Sequence, residues 1–285
     1  MEKKQNSLGD RVILEIKTSR TGEQTPEAMV QVLASLISLR RRLLYFLRRG
    51  IQITFELAVI DQTIHFYITI PQQYRTFIEG QLVAQYPKAL IVPSRDYMPD
   101  ILSERTSLVV AQLKLAAGHL YPIRTYKDFK DVDPMSSILS VLSKAKPADR
   151  IAIQFVLLPI SSGWHKAGES AINYKTKDAD GTTHTNPYAK VIAEKIAVHG
   201  FKTAIRIGVN SESHERSSAL LFEIANSFSS FNNPSGNSLA LKRPHLWRKE
   251  RLINAMLKRG KRFMPSRQIL NVEEIATIFH FPTDK

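Results

Sequence analysis

The sequence contains no cysteine, which excludes disulfides, thiolate metal sites and cysteine nucleophiles. No apolar run approaches the roughly 18 to 20 residues that a bilayer-spanning helix needs. The opening stretch, MEKKQNSLGD, is polar and lacks the apolar core of a signal peptide, so a cytoplasmic location is expected. Glycine-dependent phosphate sites are missing as well: there is no Gly-x-Gly-x-x-Gly and no Gly-x-Ser-x-Gly. Gly260-Lys261-Arg262 is the nearest fragment of a nucleotide-hydrolysing loop, but it lacks the upstream glycine and the hydroxyl residue, and it follows no strand. The eight histidines never stand at HExxH or short His-x-His spacing, so they read as solvent-facing or singly hydrogen-bonded residues. Asp178-Ala179-Asp180-Gly181 starts like a calcium loop. Its glycine falls at position four instead of six, and Ala189 stands where the bidentate glutamate belongs. The acids read as helix caps and surface groups, without the apolar surroundings that acid-base work requires. No catalytic, cofactor-binding or metal-ligating residue is therefore expected, and the chain is not expected to be an enzyme.

What is abundant is positive charge. The formal net charge is +14 and the pI near 9.9, which points to an anionic partner, nucleic acid or a membrane surface. With 285 residues, 43% hydrophobic and 23% charged, the chain has a globular composition and is long enough for two domains.

Residues 51 to 70, IQITFELAVIDQTIHFYITI, give the clearest local signal. Ile53, Phe55, Leu57 and Val59, then Ile64, Phe66, Ile68 and Ile70, alternate with more polar residues as in a half-buried antiparallel hairpin. The turn, Asp61-Gln62, lacks the glycine that primed two-residue turns prefer, so it is expected to borrow a residue from either strand. Before the hairpin, Val12, Leu14 and Ile16 mark a strand. Thr25-Pro26-Glu27 then opens a helix with an apolar stripe from Met29 to Leu47 that Gly50 ends. After it, Pro71 starts a helix through Tyr86, and ALIVP (89 to 93) reads as a buried strand. The order strand, helix, strand, strand, helix, strand is that of a ferredoxin-like split βαβ domain over 1–94.

Residues 94 to 105 carry a proline and several charges and form a boundary. The scheme partly repeats over 95–231. SLVVAQLKL (107 to 115) and RIAIQFVLLPI (150 to 160) are strands, Asp133-Pro134 caps a helix through Leu142, 186–199 is a helix, 202–209 a strand and 212–230 a helix. The polar insertion 161–186 reads as a long mobile loop. The fold class expected is α+β: tandem ferredoxin-like domains, antiparallel sheets with helices on one face, the second domain elaborated. Residues 232–285 follow as a basic segment and a linker helix, NVEEIATIF, with Asn271 as its cap and Glu273 and Glu274 in its first turn.

Two basic clusters stand out. Arg40, Arg41 and Arg42 with Arg48 and Arg49 fan around the first helix, because consecutive helical residues point about 100° apart. The denser cluster, KRPHLWRKERLINAMLKRGKR (242 to 262), puts Leu252, Ile253, Met256 and Leu257 on one helical side and Arg248, Arg251, Lys258 and Arg259 on the other. With Lys242, Arg243, Trp247, Lys261 and Arg262 it forms the candidate site for nucleic acid, an anionic membrane surface or an acidic protein.

The strings DQTIHFYITIPQQYRTFIEGQLVAQYP (61 to 87), DPMSSILSVLSKAKPADRIAIQFVLLPI (133 to 160) and ILNVEEIATIFHFP (269 to 282) resemble the N-terminal, non-motor region of FtsK/HerA-type ATPases of candidate-phylum bacteria, linked to type IV secretion and conjugative DNA transfer. The last string resembles the link into their P-loop ATPase domain. The resemblance implies a coupling role: holding a hexameric pump to its membrane partners or substrate. It carries over no catalytic residue, since that family's Walker motifs lie in the motor. The expected function is a non-enzymatic accessory module acting through protein contacts with a P-loop ATPase motor or secretion-system proteins. DNA and an anionic membrane surface are further candidate partners, a peripheral place at the inner membrane fits them, and oligomers are compatible. The alternative is a free-standing basic nucleic-acid-binding protein.

Overall fold

The structure, a computed structural model, describes residues 9–18, 25–43, 51–130, 132–161, 163–177, 183–265 and 267–282, with 38–43, 176, 177 and 183 described by backbone alone. The side chains of the arginines at 40–42, the arginines at 48–49, the end of the first helix with Gly50, and Asp178 to Gly181 lie outside that description.

The first half contains β1 (Arg11–Lys17), α1 (Pro26–Leu43), β2 (Ile53–Ile60), β3 (Thr63–Pro71), α2 (Arg75–Gln85) and β4 (Leu90–Ser94). α3 (Met98–Leu102) leads to β5 (Val109–Leu115), α4 (Ser136–Leu142) and β6 (Arg150–Pro159). Then come α5 (Gly163–Ile172), β7 (Lys175–Lys177), β8 (Thr183–Thr185), α6 (Ala189–Ile196), β9 (Gly200–Asn210) and α7 (His214–Ser227). The chain closes with β10 (Leu239–Lys242), α8 (Leu246–Leu257), β11 (Ile269–Asn271) and α9 (Val272–Ile278).

The hairpin is formed by β2 and β3, with Ile60 opposite Thr63, so the turn is Asp61-Gln62 alone. No residue is borrowed. Both turn residues have positive φ, 50° and 60°, as a type I′ turn demands. Contacts from a distant segment hold this glycine-free pair: Asp61 meets Arg150 at 2.9 Å, and Gln62 Nε2 donates to the Ala145 carbonyl at 3.2 Å.

The separate sheets expected for two domains are one sheet. β2 also pairs with β6, from Ile53 opposite Leu157 to Val59 opposite Ile151. The described residues build a nine-stranded sheet in the order β10-β5-β9-β6-β2-β3-β1-β4, with β11 beside β9. Every pairing in it is antiparallel. Outward from the β2–β6 seam, each half contributes its second, third, first and fourth strands in turn.

Period-two alternation gives the sheet two different faces. Leu14, Phe55, Leu57, Phe66, Ile68, Ile153, Phe155, Ile205 and Ile207 point to one side, where α1, α2, α4, α7 and α9 cover them. Ile13, Ala58, Tyr67, Val110 and Ala152 point to the other, under α3 and α8. Helices on a single face were expected; α3 and α8 require the second. The stretch 94–105, read as a boundary, in fact buries Tyr97, Met98, Ile101 and Leu102.

Three other local expectations change. The 161–186 segment is no plain loop: it carries α5 and the β7–β8 hairpin, and Trp164 packs with Ile192 and Ile196. A Cβ on Gly168 would stand 2.6 Å from Ile196 Cγ2, so α5 meets α6 through a position that only glycine fits. ALIVP is an outer strand, with Leu90 58% exposed. The 269–282 string, expected as a link, is interior. Phe279 packs against Phe55 at 5.0 Å and Phe155 at 5.5 Å, one from each half of the sheet.

Candidate functional site

α8 is amphipathic as its spacing dictates. Leu252, Ile253, Ala255 and Met256 are buried, facing Met98, Ile101, Leu102 and Val110. A Cβ on Gly208 of β9 would lie 2.9 Å from Leu102 Cδ2 and 3.1 Å from Met256 Cε, so the bare backbone there lets both helices sit close to the sheet.

The helix ends in a Schellman motif: Gly260 N donates to Ala255 O at 2.8 Å and Arg259 N to Met256 O at 3.0 Å. Arg259, at φ 46°, takes the left-handed position that glycine usually fills, although Gly260 is the next residue. This backbone turns the Arg259 side chain inward. Its Nε lies 3.1 Å from both carboxylate oxygens of Glu56, its Nη1 lies 2.9 Å from Asp96 Oδ1, and its guanidinium is 5.5 Å from the Tyr97 ring centroid.

A row of polar residues crosses the sheet beneath. Glu56 is opposite Gln154, Gln154 opposite Arg206, and Arg206 opposite Gln112. Tyr97 Oη donates to Glu56 at 2.6 Å and Gln154 Nε2 donates to Glu56 at 2.6 Å. Arg206 Nη1 donates to Gln154 Oε1 at 2.9 Å and to Ala255 O at 3.0 Å, while its Nη2 reaches Gly260 O at 2.6 Å and Arg262 O at 2.5 Å. Gln154 also donates to Met256 O at 3.2 Å, Gln112 to Phe263 O at 2.8 Å, and Gln52 Nε2 to Arg259 O. The Ala255 and Met256 carbonyls of α8, already bonded within the Schellman turn, and the carbonyls of the residues that follow the helix thus accept further bonds from the sheet. A cation also stands at the negative end of the helix dipole.

Burial brings the pKa of Arg206 down to about 10, against the pull of Glu56, which leaves it charged at neutral pH. For Arg259 burial acts downward too, but Glu56, then Tyr97 and Asp96, outweigh it and hold the pKa above the ordinary arginine value. Burial and then Glu56 push the Tyr97 phenol well up, so it stays a donor.

The candidate residues therefore divide. Arg259 is fully buried and cannot meet a phosphate; it belongs to the interior network, not to the outward side of the helix on which spacing placed it. Lys242, Arg243, Trp247, Arg248, Arg251, Lys258, Lys261 and Arg262 are exposed. Trp247 carries the guanidinium of Arg248 at 4.4 Å and that of Arg251 at 5.5 Å from its ring centroid. Sequence reasoning missed Glu56, Gln154, Arg206 and Tyr97. A signal existed: the apolar side of the 246–257 helix needs a sheet face to cover, and the polar residues of the strands were the only face left.

Among the described residues no three His, Asp or Glu side chains are grouped to hold a metal ion, and no helix is long and apolar enough to cross a membrane. A second fully buried pair, Lys195 with Glu274 at 3.1 Å, fixes α6 to α9, and Glu274 also closes the capping box with Asn271. No curated protein matches the chain. The model of one family matches residues 2–285, and the chain belongs to that family, described as a domain of unknown function (DUF8128).

Proposed function

We propose that the chain is a non-enzymatic coupling module of a type IV secretion or conjugation ATPase, working by protein contact with a P-loop motor or secretion-system proteins. One observation carries this reading beyond the resemblance of the three strings: the buried ionisable groups on the second face hold a helix in place, and that helix turns aromatic and basic side chains outward. Chemistry spent on positioning a surface is what a docking module needs. The finer fold belongs to the same reading: two ferredoxin-like repeats over 1–94 and 95–231, joined edge to edge, with 232–285 binding both. The matching strand order on the two sides of the seam supports it, with β10 of the 232–285 segment supplying the outer strand of the second repeat. A cytoplasmic place, peripheral to the inner membrane, goes with such partners.

The test is reconstitution. The purified chain should hydrolyse no ATP and should co-elute with its P-loop ATPase partner in size-exclusion chromatography. ATP turnover by the chain alone, lost on replacing one particular lysine, would overturn the reading.

The basic surface around Trp247 favours a second reading, sequence-blind nucleic-acid binding. Replacing Arg248, Arg251, Lys258 and Lys261 by glutamine should then flatten log affinity against log salt by about three to four units. Arg259 is left out of that variant because it is interior.

A further inference from the structure

The first turn of α8 exposes two adjacent apolar side chains, Leu246 at 92% and Trp247 at 61%. Single exposed apolar residues are ordinary on a protein surface. An aliphatic and an indole side by side, set among cations, are a different matter. Between 242 and 251 the sequence has five Lys or Arg and one acid, Glu250, whose carboxylate lies 3.8 Å from Arg105. The helix start adds to this charge. Its first turn contains no acid and the His245 side chain does not cap it, while Arg248 and Lys249 stand where acids usually offset the positive end of the dipole. The whole corner is complementary to anions, with an apolar tip at its centre.

Nucleic acid would use only part of this corner. Two guanidinium groups already stand over the indole, at 4.4 and 5.5 Å, and so compete with bases for its faces. Leu246, almost fully exposed, gains nothing from phosphates. A bilayer surface uses all of it: anionic headgroups meet the cations, the indole sits at headgroup level, and the leucine reaches the acyl boundary. The network beneath keeps the helix from rolling its tip away, since Arg206 and Arg259 pin its other end.

We infer that Leu246 and Trp247, with Arg248 and Arg251 beside the indole and Lys242 and Arg243 just before them in the chain, form an insertion tip that docks the chain on an anionic lipid surface. Lipid contact of this kind needs the peripheral location proposed above but not the motor contact, and the test uses the chain alone, so the two can fail separately.

The full-length chain is mixed with vesicles of phosphatidylglycerol and phosphatidylcholine at 3:1, and with pure phosphatidylcholine vesicles. Binding is read by co-sedimentation at 0.15 M salt and by tryptophan emission. The protein has two tryptophans, and Trp164 is buried, so a shift in emission reports Trp247. The expected result is binding and a blue shift with anionic vesicles only, with quenching by lipids brominated on the acyl chain. Leu246→Ser should lower the partition coefficient about tenfold, and R248Q with R251Q about tenfold or more at low salt. Both changes are at exposed positions, and circular dichroism checks that the fold is kept. Absence of anionic-vesicle binding overturns the inference, as does binding that Leu246→Ser leaves unchanged. Tighter binding to a single-stranded oligonucleotide than to vesicles, indifferent to Leu246→Ser, overturns it in favour of nucleic acid.

Discussion

Phe55 and Glu56 are neighbours on β2, both fully buried, and they face opposite layers of the molecule. On the Phe55 side the sheet meets five helices through aliphatic and aromatic carbon. On the Glu56 side it meets α3 and α8 through a small apolar patch and a row of directed bonds, Glu56 to Gln154 to Arg206. Apolar burial is strong and non-directional. It gathers helices onto a surface without fixing their rotation or register. Bonds from Arg206 and Gln154 to carbonyls between residues 255 and 262, and from Arg259 to Glu56, exist in only one register of α8. The difference teaches that cohesion and placement are divided between the two faces, and that the outward surface of α8 inherits its orientation from the polar one.

The largest expected effect is on the apolar face. Phe279→Ala would open a cavity between Phe55, Phe66 and Phe155 and should cost about 3–5 kcal/mol in urea unfolding. A loss below about 1.5 kcal/mol would mean the two halves do not share one core at α9. Second comes the polar face. Arg259→Met alone leaves the Glu56 carboxylate buried without its cation and should cost about 3 kcal/mol. Adding Glu56→Leu should recover a good part of that loss, while amide exchange in α8 stays faster than in the unaltered protein. A double variant no better than the sum of the singles would remove the distinction between cohesion and placement.

Two carboxylates test whether the apolar side is as free of directed charge as it looks. Asp149 accepts from the Ser211 hydroxyl, from Arg216 Nη2 at 2.9 Å and from Lys146 N at 2.8 Å. Asp133 is bonded by His280 at 3.1 Å and by Met135 N at 2.6 Å. Burial opposes ionisation of both, yet the bonds from Arg216 and Ser211, and from His280, hold their pKa values below the ordinary carboxylate range. The unfolded chain, with values near ~3.9, then binds more protons than the folded one across the acidic window. Their contribution is therefore complete above about pH 5 and lost as pH falls through the folded values. Asp149→Asn should cost about 1–3 kcal/mol at pH 7 and flatten the acid limb of stability against pH. An unchanged acid limb would assign that limb to other groups.

Alternation and capping were legible in the residues. The β2–β3 hairpin follows from period-two patterning, and Asn271 caps α9 as its position before two glutamates implies. The four strands of the first half and three of the second, at 107 to 115, 150 to 160 and 202 to 209, were readable too, whereas β10, which pairs with β5, lay in a stretch read as a loop and basic segment. What was hidden is contact between elements far apart in the chain. Nothing local says that β2 pairs with β6, 98 residues separating Glu56 from Gln154. Glu56 looks like an ordinary solvent residue of an alternating strand until α8 covers it. Arg259 sits on the polar side of a helical projection, but the helix ends at Leu257, and a left-handed residue two positions later turns the side chain inward. Trp247 could be singled out from composition alone, because its exposure does not depend on a distant partner.

The smallest effect concerns the end of the seam between the halves, where opposing contributions nearly cancel. Asp61 and Gln62 both adopt positive φ, which costs an L-residue roughly 1–2 kcal/mol. Glycine carries no such cost, so Gln62→Gly relieves backbone strain. Against that stand the greater freedom of glycine in the unfolded chain, about 0.4–1 kcal/mol, and the lost bond from Gln62 Nε2 to the Ala145 carbonyl at 3.2 Å. That bond is part-buried and neutral, so its net worth is about 0.5–1 kcal/mol. The balance should be a change within ~0.5 kcal/mol of zero. Asp61 keeps its contact with Arg150 at 2.9 Å, so the turn stays attached to β6. A destabilisation above about 1.5 kcal/mol in thermal unfolding would show that the Gln62 contact, and not the β2–β6 ladder, closes that end of the seam.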